Sequence, residues 1–360
     1  MEKLMKWFVT RAAIIVALSF CGSVSHAEVL FDWATVGNPG NPADDTIMIH
    51  DGTTGYGSVG YTYLISKTEV TNAQYTEFLN AVAATDTYAL YQEQMQTSPR
   101  GGIVRSGATG SYTYSVKADA IGQGPGGTDY SYANKPVIWV SWYDSIRFVN
   151  WMTSGETETG SYTITLSDSD FDVGVGDIPS VESVTIPDTA QRALWADGST
   201  PYFLMASEDE WYKAAYYEPG DKIADTVGSY YSYATKSNIL PDNNLPDLDS
   251  GNSANYVAVT PSAVYTTGNS DYPQTDAGAY TLSDSPYGTF DQSGSVLEWN
   301  ESPIDSFGEI HRVFRGGAWA LNSNYLASSW RQGGAILPSE MAELVFASSK
   351  FPNRARQCWP

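Results

Sequence analysis

Residues 291–301 read DQSGSVLEWNE and carry the strongest chemical signal in the chain. Asp291 and Glu298 offer hard carboxylate oxygens. Gly294 permits a sharp turn that aims main-chain carbonyls, its own and that of Val296, to the same side. Several oxygens on one tight loop suit Ca²⁺, which takes roughly six to eight of them in flexible geometry. The same residues also read as a surface turn before a strand whose Trp299 packs inside, and the spacing alone leaves both open. A second stretch, 312–331, reads RVFRGGAWALNSNYLASSWR. Gly316 and Gly317 allow positive φ or a close backbone approach, and Arg315 suits an anion or a carboxylate partner. Trp319 and Trp330 are apolar anchors. The stretch has no Cys, His, Asp, Glu or Lys, so it supplies no nucleophile, general base or thiolate ligand.

Little else in the chain points to catalysis. Only three histidines occur, His26, His50 and His311, too scattered for a metal pair. There is no phosphate loop, serine elbow, HExxH or CxxC. The formal net charge is −22, which opposes nucleic acid and anionic membrane surfaces as partners. No catalytic residue is assigned.

The elements that must position these loops announce themselves by their helix starts. Thr71 with Gln74, Ser141 with Asp144, and Ser207 with Glu210 each form a capping-box pattern. Tyr75, Phe78, Leu79 and Val82 then repeat at helical spacing, as do Trp142, Ile146, Val149 and Trp151 or Met152. YTYLISKTEV (61–70) alternates as a strand, and PVIWV runs into Ser141 as a buried one. Residues 155–200 read as an inserted hairpin or long loop around SYTITL. Residues 218–290 have few periodic runs but many tyrosines, which argues for packed rather than disordered chain.

The first 27 residues form a secretory signal: Lys3, Lys6 and Arg11, then AAIIVALSF, then SHA before a cleavage point after Ala27. The apolar run is too short to span a bilayer, so no stable membrane anchor is expected. Cleavage removes Cys21 and leaves Cys358 without a partner for a disulfide. The expected location is periplasmic or extracellular. The expected organisation is a signal over 1–27, a lead over 28–60, one domain over 61–348 and a tail over 349–360.

Five blocks occur in order: KTEVTNAQYTEFLN, PVIWVSWYDSIRFVNWM, ASEDEWYKAAYY, YGTFDQSGSVLEWNE and RVFRGGAWA. Together they resemble the formylglycine-generating enzyme family, the sulfatase-modifying factors, in its secreted bacterial branch. The resemblance implies an α+β, C-type-lectin-like fold with short strands, a few helices and much irregular chain, stabilised by calcium. It carries one calcium site onto Asp291, Gly294, Val296 and Glu298, and more loosely a second onto Asn255, the carbonyl of Tyr256, and Asp271. The family's enzymes oxidise a sulfatase cysteine to formylglycine with O₂ and copper held by two cysteines. Those positions fall on Leu321 and Leu326, which neither form thiolates nor bind Cu(I), so copper is not expected. The family's closing GFRVA block is here ELVFA at 343–347. The resulting expectation is a protein without oxidase activity that binds a peptide or a glycan in an open pocket formed by Arg315, Trp319, Leu321 and Leu326, the other reading being that the leucines fill the cavity and the site is core. The alternative is a divergent formylglycine-generating oxidase.

Overall fold

The computed structural model describes residues 29–167, 180–198, 202–220, 230–259, 262–306 and 309–334, with the backbone of 342–344 and 346–348. The signal segment, the C-terminal tail and Cys358 lie outside the described residues. In chain order the elements begin with β1 (Trp33–Val36), β2 (Tyr63–Ser66), α1 (Asn72–Val82) and the single-turn α2 (Gln94–Thr97). The hairpin strands β3 (Ile103–Ser106) and β4 (Thr113–Val116) lead to α3 (Trp142–Ser154). Next come β5 (Thr163–Leu166), β6 (Val181–Thr185), α4 (Thr189–Asp197), β7 (Phe203–Met205) and α5 (Glu208–Tyr216). The chain continues through β8 (Val257–Val259), β9 (Ala263–Tyr265), the long β10 (Leu297–Ser306) and β11 (Glu309–Arg315). It closes with β12 (Gln332–Gly334), β13 (Ala342–Leu344) and β14 (Phe346–Ser348).

Two four-stranded sheets hold the fold, in the orders β1-β2-β14-β7 and β12-β11-β10-β13. β14 pairs antiparallel with both β2 and β7, so a strand from the end of the domain sits inside the first sheet. β13 runs parallel to β10, and the rest of the second sheet is antiparallel. Of the lead expected over 28–60, the described residues 29–60 are built into the domain. Here β1 pairs with β2, Val36 and Met48 are buried, and the Tyr212 hydroxyl donates to Asp44 Oδ2 at 2.6 Å.

All three capping boxes form, at Thr71, Ser141 and Ser207. In each, the cap side chain accepts one orphan N–H of the first turn and the residue three on returns the bond. The apolar faces of α1 and α3 then meet: Tyr75 stacks on Phe148 at 6.0 Å, and Phe78 meets Phe148 at 5.1 Å and Trp151 at 5.4 Å. A left-handed Gly155, φ 86°, ends α3. The region 155–200 contains the β5–β6 hairpin and, beyond expectation, the helix α4 capped by Asp188. Much of the chain after residue 230 is pinned by side-chain turns. Asp249, for example, accepts from Gly251 N–H, Leu282 N–H and the Ser283 hydroxyl.

The capping acid of α3 has a consequence for stability. Burial pushes the Asp144 carboxyl up to about 7, although bonds to Ser141 and the charge of Arg147 pull it down. A carboxyl whose folded value is raised holds its proton more tightly when folded. Its contribution is therefore complete below about pH 4 and is lost as pH rises toward about 7, on the order of 4 kcal/mol. Asp144→Asn keeps an acceptor for the Ser141 N–H and cannot ionise. Urea unfolding across this range should show a shallower decline for Asp144→Asn than for wild type; equal slopes would contradict the assignment.

Candidate functional site

The loop before β10 is bent by three residues with positive φ: Asp291 at 64°, Gly294 at 108° and Ser295 at 58°. At Gly294 any side chain would meet backbone, because a Cβ would fall 2.5 Å from the Asn255 carbonyl oxygen. The loop is zipped to the RGGAW stretch and to Asn255. Gly294 N–H donates to Gly316 O at 2.6 Å, Ser295 N–H to Asn255 O at 2.8 Å, and Trp319 N–H to Ser295 O at 2.7 Å.

Into this frame the fold brings three carboxylates rather than two. Asp291 is nearly buried, and its Oδ2 accepts Gly278 N–H at 2.6 Å. Glu298, fully buried, accepts the Trp211 indole N–H on Oε2, while its Oε1 has no partner. The third is Glu69, 1% exposed, whose oxygens form no well-aligned hydrogen bond and have Asp291 and the Ser295 hydroxyl as their polar neighbours. Burial, reinforced by Asp291 and Glu298, holds the Glu69 carboxyl well above the usual range. Burial also raises Glu298 far up and Asp291 to about 6, and no cationic side chain offsets either. The buried Ser295 hydroxyl likewise forms no well-aligned hydrogen bond. Poorly partnered hard oxygens with an excess of negative charge fit a calcium ion. Among the described residues, no three Asp, Glu, His or Cys side chains are already gathered as a ligand set. Main-chain oxygens of Gly294 and Val296 would have to complete the shell. Glu69 was legible only as a lone acid in KTEVTN, just before the capping Thr71, a signal the sequence reading passed over.

The second calcium grouping comes together only in part. Asn255 is buried with its Oδ1 unpartnered, and its amide donates to Pro273 O at 2.9 Å and Thr275 Oγ1 at 3.3 Å. The Tyr256 carbonyl accepts from Thr266 Oγ1 at 3.2 Å. Asp271 is exposed, in a turn where its N–H donates to Asn269 Oδ1, and no described hydrogen bond ties it to Asn255 or Tyr256. Asn255 thus faces two ways: its carbonyl braces the 291–298 loop and its side chain faces residues 273–275.

The open pocket expected at Arg315, Trp319, Leu321 and Leu326 is corrected by the structure. Arg315 is fully buried and saturated. Its guanidinium bonds Glu208 Oε1 at 2.7 Å and the carbonyls of Ser328 and Trp330 at 2.9 and 2.8 Å. Arg331 shares the same carboxylate, 2.6 Å from Glu208 Oε2. A buried charge needs such pairing, and no donor is left for a ligand. Trp319 is core, with the Arg100 guanidinium 4.8 Å from its ring centre. Leu321 is half-buried, its carbonyl taken by Val257 N–H at 2.9 Å. Leu326 is 0% exposed, packed with Ala254 and Tyr256 and pressed against the space a Cβ on Gly317 would need.

The cavity lies alongside. A cleft of about 460 Å³ is lined by Ile49, Tyr233, Leu240, Asn322, Asn324 and Tyr325, with Trp330 behind. No described lining residue is charged. Ile49 and Leu240 are 70% and 44% exposed, and Ile47 and Ile239 beside them in the chain are 67% and 75% exposed. The residues between the two leucines, not the leucines, form its wall.

A mixed α/β domain of short strands, with a bent acidic loop locked to an RGG turn, defines the class of sulfatase-modifying-factor-like domains. Sequence comparison matches residues 35–339 to the sulfatase-modifying factor enzyme 1-like domain. The chain belongs to the formylglycine-generating enzyme family, and its fold is the family's α+β fold. Among solved structures it is similar to CarF, at 18% identity and TM-score 0.50, over 89% of this chain and 98% of that one. It is also similar to PvdO from Pseudomonas aeruginosa, at 14% identity and TM-score 0.39, over 88% and 91%. Treponema denticola variable protein 1 matches at 18% identity and TM-score 0.40, over 89% and 95%. No curated protein matches the chain. No described helix is long and apolar enough to cross a membrane.

Proposed function

We propose that this family member is an exported, calcium-stabilised binding protein without cysteine-oxidase chemistry, and that it takes an uncharged, extended peptide. The observation that carries the reading is the uncharged cleft rimmed by exposed aliphatic residues, on a protein of net charge −22. Exposed apolar patches around a concavity are the usual anatomy of recognition. Amides at Asn322 and Asn324 suit main-chain groups of a peptide, and Ile49 and Leu240 suit its apolar side chains. The resemblance places the family's copper thiols at Leu321 and Leu326, one half-buried and one in the core, where a leucine supplies no electrons and no Cu(I) ligand. Export rests on the N-terminal signal pattern, and calcium on the poorly partnered oxygens of Glu69 and Glu298.

The test is one panel of peptides and neutral glycans, with and without calcium, that includes a sulfatase-type cysteine peptide supplied with Cu(I) and O₂. A subset of apolar peptides should be retained, Leu240→Asp should lose them without a change in melting temperature, and the cysteine peptide should return with its mass unchanged. Retention of glycans alone would replace the peptide reading. Conversion of the cysteine would restore the divergent-oxidase alternative.

A further inference from the structure

A second cleft, of about 480 Å³, opens at the N-termini of α4 and α5, under the bulge of β10. It shares no lining residue with the cleft described above. Its floor is a buried trio in which Arg192 pairs with Glu210 at 2.7 Å and with Glu301. Arg312 reaches into it from β11, half-buried, its guanidinium 4.2 Å from the Trp142 ring centre and one N–H on the Glu301 carbonyl at 2.7 Å. Arg105, Arg147, Arg192, Arg315 and Arg331 each hold a carboxylate. Among the described residues Arg312 holds none in an ion pair, and it lines the cleft with one N–H on the Glu301 carbonyl as its described hydrogen bond.

Two hydroxyls add to the donor side. Ser207 Oγ accepts Glu210 N–H at 3.2 Å and Ser302 Oγ accepts Glu208 N–H at 3.0 Å. Neither hydroxyl donates in any described hydrogen bond. The acceptor side is Asp209, whose Oδ1 takes Gly57 N–H at 2.9 Å and whose other oxygen has no described partner. Burial and the neighbouring acids Glu208 and Glu210 lift its carboxyl to about 6, so a cation beside it would be welcome. A ligand with a net negative charge would be repelled by the protein's overall charge of −22. A ligand with both signs and no net charge is not. We infer that this cleft binds a small zwitterion, a free α-amino acid, with Arg312 and the two serine hydroxyls on its carboxylate and Asp209 on its ammonium.

Calorimetric titration of the full chain with a panel of L-amino acids tests the inference. At least one should bind, and its methyl ester and N-acetyl derivative should each bind about tenfold or more weakly, the loss expected when a charge-assisted hydrogen bond is removed. Arg312→Gln should lose binding of the free amino acid to a similar degree, and Asp209→Asn should erase the preference for the free amine over the N-acetyl form. If no amino acid binds wild type, or if the ester binds as well as the acid, the inference is overturned. The analogue arm uses wild type alone, so it decides even where Arg312→Gln unsettles the packing on Trp142.

Discussion

Withdrawing calcium with a chelator should lower the melting temperature by about 4–5 °C. The size follows from mass action: an ion held at about one hundred times its dissociation constant stabilises the folded state by about 2.7 kcal/mol. A domain of about 300 residues shifts by roughly 1.5–2 °C per kcal/mol. The reason to expect the effect lies in Glu69, Asp291 and Glu298, buried acids on which no arginine or lysine acts. Glu69→Gln gives the discriminating arm. Without calcium it should melt higher than wild type, because a glutamine spares the fold the cost of keeping a buried carboxyl protonated. With calcium it should melt lower, because one ligand has gone. Opposite signs in the two buffers would not arise from ordinary loss of packing. A wild type indifferent to the chelator would remove the ion from this protein.

Leu326→Asp should cost on the order of 4 kcal/mol or more and collapse the fold's stability, since a carboxylate would enter a fully buried apolar site without a partner. Leu321→Asp, at a half-buried position, should cost about 1 kcal/mol. The contrast separates core from pocket at the two positions where the family resemblance puts thiols. Thermal or urea unfolding of both variants measures it. A small shift for Leu326→Asp would mean that the site opens in solution and that the cleft extends inward past Tyr325.

Helix starts were the most legible part of the sequence, because a capping box is a local bargain between residues three apart and needs nothing from the rest of the chain. The helical faces of α1 and α3 were legible for the same reason: Tyr75, Phe78, Leu79, Trp142, Ile146 and Val149 repeat at the period of the turn and all are buried. The acidic loop was legible in its own residues, Asp291 to Glu298. Its third carboxylate was not, since Glu69 arrives from another part of the fold. The same limit hid the uncharged cleft, whose walls come from Ile49, Tyr233, Leu240 and the 322–330 segment. Arg315 shows the converse. Its place beside two glycines suggests a pocket, and only Glu208, 107 residues earlier, reveals a structural ion pair. α4 went unseen although Asp188 and Gln191 stand at capping-box spacing, because its apolar face is short; in the structure Asp188 accepts the Gln191 N–H.

The placement of β14 between β2 and β7 sets the order of events in synthesis. A ribosome must release nearly the whole chain before the first sheet has its inner strand, and until then β2 and β7 have no bridge between them. Completion of this sheet should therefore await the last strands, and folding should be slower than in chains with mostly local pairing.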